Sequence, residues 1–571
     1  MSDDESAAAE EEEGATPPSG ADRLCAALVE AGVDLLVGLP GTQTLPLDRT
    51  VARRDDIEYV MARHETAIPH VAWGHYESGG GMAATLTVPG PGDTNAMHGL
   101  KNALEDCVPI VHVAAAVDPA DRGKGAIHEI EPGTFDNVVK SNRTVESPSR
   151  LVEHVERALA TACAPPTGPV RLGIPSGILD APAPGGDVCV RPERTTFDID
   201  DAVADAVDVL AAASRPVVYV GGGTRRSATG AESAHALAAE LNAPVVTSYK
   251  GKGVVPDDDD RVLGVTGSHL PAGARRVLDR ADAVLALGTD FDGVTTDDWT
   301  LPMGDRLVHV NVDPAAIGTA YAPSVGIVGD AGRVGERLLD GLRDCDRDRS
   351  DAWNGAAVGR RVRAEYRDRL DQLGVLDPDA TPARTPAALE AIRAVCPPET
   401  VVVTGVGGFR LWAKQVFAAL RPEAYVTAGS WAGMGVGVPA ALGAKLANPE
   451  TPVVALVGDG ELLMCLQELH TAVEYDLDVV TVIFNNADYG IVSKSPALDE
   501  SGFGWDSPDF ATIAEGFGCR ATDAETAREA ADSVRAALDR AADPEVIDLR
   551  TDPKEPSVVE AAAYDSTVDL A

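Results

Sequence analysis

The sequence predicts an α/β protein made of three doubly wound parallel-sheet domains. Short runs rich in Val, Ile and Leu alternate with longer helical patterns along nearly all of its 571 residues. Runs of that kind read as parallel strands covered by helices on both faces. Two stretches poor in continuous apolar sequence divide the alternation into three. The length itself calls for about three to four domains at roughly 100 to 200 residues each.

The first twenty residues, with the run Glu10 to Glu13, are charged and poorly hydrophobic. They are expected to be a disordered acidic tail (1–20) outside the fold. Residues 21–185 carry the strand-like runs VDLLVGLPG, GMAATLTVPGPG, VPIVHVAAAV and GPVRLGIP, and make the first domain. A Pro-, Gly- and Asp-rich stretch from Ala181 to Gly186, polar as far as Asp201, reads as a linker. Residues 195–342 carry RPVVYVGGG, APVVTSY, ADAVLALG and RLVHVNVDP and form the central domain. The charged segment 343–383, with helical spacing around Val362 to Leu373, is a second linker. The alternation returns over 384–560 in TVVVTGVG, EAYVTAGS, TPVVALVGDG, LDVVTVIFNN and PEVIDLR.

Composition excludes several classes. A formal net charge of −42 opposes the basic footprint that a nucleic-acid surface needs. No apolar run approaches the roughly 20 residues that span a bilayer, and the acidic start is unlike a secretory signal, so a cytoplasmic protein without membrane contact is expected. Eight scattered Cys (Cys25, Cys107, Cys163, Cys189, Cys345, Cys396, Cys465, Cys519) form no CxxC pair and predict neither a zinc site nor a disulfide framework.

The chemistry concentrates in VVALVGDGELLMCLQELHTAVEYDLDVVTVIFNNADYG. One strand ends in Gly458-Asp459-Gly460 and the next in Asn485-Asn486, which places both polar clusters at the carboxyl ends of parallel strands, where such sheets bind ligands. A helix starting just after Gly460 could aim free N–H groups at a phosphate. Asp459 and Asn486 offer the hard oxygen ligands that Mg²⁺ prefers.

GDG, 24 residues and NN together resemble the signature of thiamine-diphosphate enzymes, and the chain as a whole, over about residues 20–555, resembles acetolactate synthase large subunits. The resemblance implies a pyrimidine-binding first domain, a central Rossmann-like domain and a diphosphate-binding third domain. It implies Mg²⁺ held by Asp459, the Asn486 side chain and the Asp488 carbonyl, with Gly458, Gly460 and Glu461 at the diphosphate. YVMARHETAIPHVAWGHYESGGG makes Glu65 the carboxylate that activates the cofactor through its pyrimidine ring. TVPGPGDTNAMHGLKNALEDCVPIV supplies Gly90, Gly92, Asn95 and Asp106, although Val88 and Pro89 replace the more usual Thr-Ser. GSWAGMGVGVPAALGAKLA makes Met434 the wedge beneath the bent cofactor and Ala432 the carbonyl facing its aminopyrimidine.

TGVGGFRLWAKQ resembles the diphosphate loop but has Gly405, Gly408 and Phe409 where Asp, Gln and His are usual. Backbone amides at Gly408 and Phe409 can still bind phosphate. Glu461 also departs from the pattern, and its carboxylate must point away from the diphosphate or meet a cation. His128, in AIHEIEPGTFDNVVK, stands where the family has a Gln on the substrate side and could donate to a carboxylate or transfer a proton. Lys494 is the sole cation in NNADYGIVSKSPAL, where acetolactate synthases carry Arg, Trp and Gln to grip a second 2-oxo acid.

The implied activity is therefore decarboxylation of one 2-oxo acid with carboligation to another. A simple 2-oxo acid decarboxylase, of sulfopyruvate or benzoylformate type, stays open, as does a non-catalytic cofactor-binding homologue. FAD in the central domain is left open: TSYKGKGVVPDDDDRVLGVTGSH and VHVNVDPAAIG resemble its signatures, but the family's Arg-rich stretch reads GTDFDGVTTDDW. The family's cofactor lies between subunits, which implies a homodimer or homotetramer. A small regulatory subunit is compatible with the resemblance. Finally, nine Lys against 39 Arg in so acidic a chain resembles the proteins of salt-loving archaea, whose repelling surface charges are screened by salt.

Overall fold

Eighteen strands, all parallel to their neighbours, form three six-stranded sheets in the computed structural model, which describes residues 17–184, 197–345, 353–494 and 503–570. The first sheet holds β1 (Leu35–Gly38), β2 (Glu58–Met61), β3 (Ala83–Thr87), β4 (Ile110–Ala116), β5 (Ser141–Thr144) and β6 (Val170–Pro175), ordered β2-β1-β3-β4-β6-β5. The second holds β7 (Pro216–Val220), β8 (Val245–Thr247), β9 (Val262–Val265), β10 (Ala283–Leu287), β11 (Leu307–Asn311) and β12 (Val325–Val328), ordered β12-β11-β10-β7-β8-β9. The third holds β13 (Val401–Thr404), β14 (Tyr425–Thr427), β15 (Val453–Gly458), β16 (Val480–Asn485), β17 (Arg520–Ala524) and β18 (Glu545–Arg550), ordered β14-β13-β15-β16-β18-β17.

The first and third sheets thus share one topology, and the second has the order of dinucleotide-binding folds. The winding direction first reverses between β1 and β3, between β7 and β10, and between β13 and β15. Those switch points are where doubly wound sheets receive ligands. No described helix is long and apolar enough to cross a membrane.

Chain segments expected to lie outside the domains take part in packing. Ser19 caps the helix Gly20–Glu30, so ordered structure begins slightly before Ala21; residues 1–16 of the expected tail lie outside the described residues. The second linker contains the helix Gly355–Gln372. Its Val358 and Val362 join the core of the central domain, and its Tyr366 and Leu370 join that of the third. One apolar face at fourth-residue spacing therefore joins two cores.

The first and third domains share a further core, built on the helices Ala67–Glu77 and Gly437–Ala447. Their backbones meet: a Cβ on Gly74 would lie 2.1 Å from the Ala440 carbonyl oxygen, and one on Gly443 would lie 1.9 Å from that of Val71. Only glycine permits so close an approach.

A buried ionic cluster ties in the central domain. Glu77 meets Lys250 at 2.8 Å, Arg226 at 2.7 Å and Arg225 at 3.2 Å. Lys250 also donates to the Thr427 carbonyl at 3.0 Å and meets Asp106 at 3.3 Å. Asp106 in turn accepts from Trp73 Nε1 at 3.0 Å and from the Gly429 amide at 3.1 Å. Burial pushes the Glu77 carboxyl up, but Lys250, Arg225 and Arg226 more than reverse it and hold it at about 2.

Candidate active site

The switch point of the third sheet opens into a cavity of about 580 Å³. Its floor is the pair of loops that leave β13 and β15, Val406 to Phe409 and Gly458 to Glu461, and Asn486, Asp488 and Tyr489 follow from the end of β16. Strands β13, β15 and β16 are buried along nearly their whole length by helices on both faces, which fixes the loops at their carboxyl ends.

Asp459 is only 3% exposed, and its Oδ2 is a buried oxygen with no hydrogen-bond partner. Burial pushes its carboxyl up to about 6, against backbone amides of Gly460, Asp459 and Ala487 that lower it. An orphaned buried carboxylate oxygen is costly unless something positive completes it. Asn486 sits beside it on the cavity wall, its Oδ1 accepting from the Asp488 amide at 3.2 Å. Among the described residues no group of three or more His, Cys, Asp or Glu could hold a metal. A cation in this cavity would therefore rest on one carboxylate, an amide oxygen and oxygens of a ligand, which is a donor set that suits Mg²⁺.

The helix expected after Gly460 is a single turn, Asp459–Leu462, too short to carry a useful dipole. The cavity is faced instead by the start of the nine-residue helix Gly408–Val416, which has no side-chain cap. Its first amides are free for an anion. Phe409 turns its ring inward onto Phe484, with centroids 5.1 Å apart and planes at 7°, so this residue offers the cavity its backbone.

Glu461 points away from the cavity. It is 1% exposed, and its two oxygens accept from the amides of Val406 at 2.5 Å and Gly437 at 3.0 Å. Burial pushes its carboxyl up to about 7, against those amides and the nearby Arg410. Met434 and Lys494 line the cavity, and Lys494 is the one cation among its described lining residues. Residues 495–502, which follow it, lie outside the described residues. Ala432 is held at φ +39° in the loop ahead of Met434. Sequence reading missed the C-terminal contribution to the wall: Glu555, Ser557 and Val559 line it, and only their position after the last strand hinted at this.

The remaining expected residues gather elsewhere, at the carboxyl edge of the first sheet. Glu65 lies in the turn after β2, and its Oε2 accepts from Asn95 Nδ2 at 3.1 Å. Gly92 leaves room for it, since a Cβ there would lie 3.2 Å from Glu65 Oε1. Gly90, at φ +64°, opens the helix Pro91–Glu105, and a Cβ on it would lie 2.8 Å from the His128 carbonyl oxygen. His128, at φ +62°, is half-buried, with Nδ1 3.4 Å from Gln43 Nε2. None of these residues lines the cavity of the third domain. One chain thus presents two separate clusters of the expected residues.

Residues 18–136, 203–338 and 405–549 match, respectively, the N-terminal TPP binding domain, the central domain and the C-terminal TPP binding domain of thiamine pyrophosphate enzymes. The acetolactate synthase isozyme 3 large subunit of Escherichia coli is 30% identical over 524 residues, covering 88% of each chain. The acetolactate synthase large subunit of Corynebacterium glutamicum is 30% identical over 557 residues, 93% of this chain and 86% of that one.

The chain belongs to the thiamine pyrophosphate enzyme family.

Within that family it is acetolactate synthase-like along almost its full length. A probable acetolactate synthase large subunit of Methanococcus aeolicus, 28% identical over 556 residues, covers 94% of it. Glu65, Gly90, Asn95 and His128 fall within the match to the N-terminal TPP binding domain, and the cavity falls largely within the match to the C-terminal one.

Proposed function

We propose that the chain is a thiamine-diphosphate- and Mg²⁺-dependent carboligase, which decarboxylates one 2-oxo acid and joins the product to a second. The observation that carries this reading is the unpartnered, buried Oδ2 of Asp459 in a cavity shared with Asn486. Asp459, Asn486 and the Asp488 carbonyl would hold Mg²⁺, and backbone amides around Gly408, Phe409, Gly458 and Gly460 would take the diphosphate. Bound there, thiamine diphosphate would supply the carbon nucleophile for decarboxylation. Met434 would support the ring system and Ala432 would offer its carbonyl to the pyrimidine. Glu461 would hold the two loops together rather than touch the cofactor.

Glu65, positioned by Asn95 and accommodated by Gly92, would hold a proton at the pyrimidine ring, with Gly90 opening the neighbouring helix. Because it lies outside the cavity of its own chain, we read the working site as formed between subunits of a homodimer or homotetramer. The exposed apolar side chains Trp431, Leu463 and Met464, beside the Met434 loop, fit such an interface. His128, on the same edge as Glu65, would donate to the substrate carboxylate. The relatives' own designation as large subunits leaves room for a small regulatory partner, and the composition fits a cytoplasmic protein working at high salt.

A decarboxylase that protonates its product is the second reading. It is favoured by one feature: Lys494 is the one cation among the described lining residues, beside the apolar Ile491, Val492 and Val559, a thin grip for a second 2-oxo acid. The intact Glu65, Asp459 and Asn486 speak against a non-catalytic homologue.

Mass spectrometry of products from purified protein in molar KCl, with thiamine diphosphate and Mg²⁺, tests both. Acetolactate from pyruvate is expected. An aldehyde from another 2-oxo acid would move the protein to the decarboxylases, and no CO₂ from any 2-oxo acid would end the catalytic reading.

A further inference from the structure

We infer that the central domain keeps the strand order of a dinucleotide-binding fold but has closed the crevice, so that the enzyme carries no FAD there. A flavin dinucleotide in such a sheet would lay its diphosphate across the switch point between β7 and β10, on the amides of the glycine turn that follows the first strand. Here that turn, Gly221-Gly222-Gly223, is sealed to the residues that follow β10. The Gly221 amide donates to the Leu287 carbonyl at 2.8 Å, and the Gly223 amide donates to that of Gly288 at 2.8 Å. Thr224 Oγ1 donates to the Leu287 carbonyl at 2.7 Å. The two backbones touch: a Cβ on Gly221 would lie 2.2 Å from the Gly288 oxygen, and one on Gly288 would lie 2.4 Å from the Thr224 nitrogen. A phosphate has neither the space nor those amides.

Charge points the same way. The loop beyond Gly288 brings Asp290 and Asp292 to the switch point, and Asp292 is satisfied by Tyr249 Oη at 2.6 Å and by the amides of Val294 and Thr295. Burial, and then the neighbouring Asp292, push the Asp290 carboxyl up, so the place already disfavours negative charge. The cations that could neutralise a diphosphate are Arg225 and Arg226 after the glycine turn and Lys250 after β8. All three are engaged with Glu77 of the first domain. Phe291 closes the remaining apolar space, 1% exposed and packed against Tyr219, His309 and Tyr321 at centroid distances of 5.4, 4.9 and 5.2 Å. The edge of the sheet that would receive a dinucleotide is thus a joint between domains.

The inference stands on the central sheet and not on the choice between carboligase and decarboxylase. Its test is flavin content. The full chain, produced in a riboflavin-fed host and purified in molar KCl, is incubated with FAD, desalted and acid-denatured, and the released flavin is measured. Only traces of flavin are expected, with no rise in unfolding temperature on adding FAD, whereas thiamine diphosphate with Mg²⁺ raises it on the same sample. About one flavin per chain, or saturable quenching of flavin fluorescence at that stoichiometry, would overturn the inference. Gly221→Ala adds an independent reading. Strong loss of stability is expected where the backbones meet, and an unchanged unfolding temperature would show that the crevice is open in solution.

Discussion

The carboxylate of Glu461 occupies the space that a side chain at Gly405 would need: a Cβ on Gly405 would lie 1.8 Å from Glu461 Oε2. The acid that this family usually carries at position 405 has in effect moved across the switch point, from the loop after β13 to the loop after β15. Two departures that look separate in sequence therefore meet in one place in the structure.

That proximity predicts a rescue. Glu461→Ser should leave the buried amides of Val406 and Gly437 without an acceptor, at about 1–3 kcal/mol each, and loosen the loops around the cavity. Gly405→Asp alone should overpack the same space and bring two carboxylates together. The double variant should recover most of the stability and thiamine-diphosphate affinity lost by either single change, as read by denaturant unfolding and cofactor titration at constant KCl. No recovery would mean that the two positions do not share one function.

Asp459→Ala should weaken Mg²⁺-dependent cofactor binding by more than the roughly 10–100-fold typical of losing an outer-shell partner of a metal ligand. The cost to the apo protein should be small, because losing the orphaned Oδ2 offsets the acceptor lost to the Gly460 and Ala487 amides. Isothermal titration and apo-protein melting check the two halves separately.

The ion cluster at the domain junction makes a stability prediction. Glu77→Ala leaves Lys250, Arg225 and Arg226 buried around an empty place, and breaking such a buried set costs about 3–5 kcal/mol. Replacing an exposed pair such as Arg528 and Asp379 should leave stability almost unchanged by comparison. Equilibrium unfolding of both variants in the same buffer measures the contrast.

Much of the fold was legible because central strands of a doubly wound sheet must be apolar on both faces: VVALVG, VTVIFN and AVLAL announce themselves. Of the edge strands only β14, in EAYVTAGS, did. β5 (SNRT) and β17 (RATDA) are half-exposed and polar, and β12 (VGIV) is short. β2 (EYVM) is likewise partly exposed, and β9 (VLGV), though buried, is only four residues long and interrupted by a glycine. In the site, Asp459 and Asn486 were readable because their spacing follows from two adjacent strands and one crossover. The inward turn of Glu461 and Phe409 was not, since it depends on Gly405 and Phe484 across the crevice. The closure of the central crevice is a contact between backbones, which leaves no trace in a pattern of side chains beyond its glycines.

Buried imidazoles weaken the fold in acid, and His70 is one of them. His70 is fully buried, neither ring nitrogen has a partner, and it meets His98 edge-on at 5.0 Å. Burial, and then His98, lower it from 6.5 to about 3. The folded state therefore binds fewer protons than the unfolded one between those values, and this group's stability is full above 6.5 and lost as pH falls below it. The loss is about 1.4 kcal/mol per pH unit for one such group. His70→Phe should remove that slope, seen as a pH-dependent difference in unfolding free energy from wild type below about pH 6.5. A constant difference across pH would show that His70 is not the group.

The shared site itself is tested most directly by mixing two inactive variants, Glu65→Gln and Asp459→Asn, under conditions that exchange subunits in molar KCl. If Glu65 of one chain serves the cavity of another, each mixed dimer holds one site with both residues intact. CO₂ release from 2-oxo acid should then return on mixing, although each variant alone stays inactive. A mixture that exchanges subunits yet remains inactive would show that no site is formed by Glu65 and Asp459 across two chains.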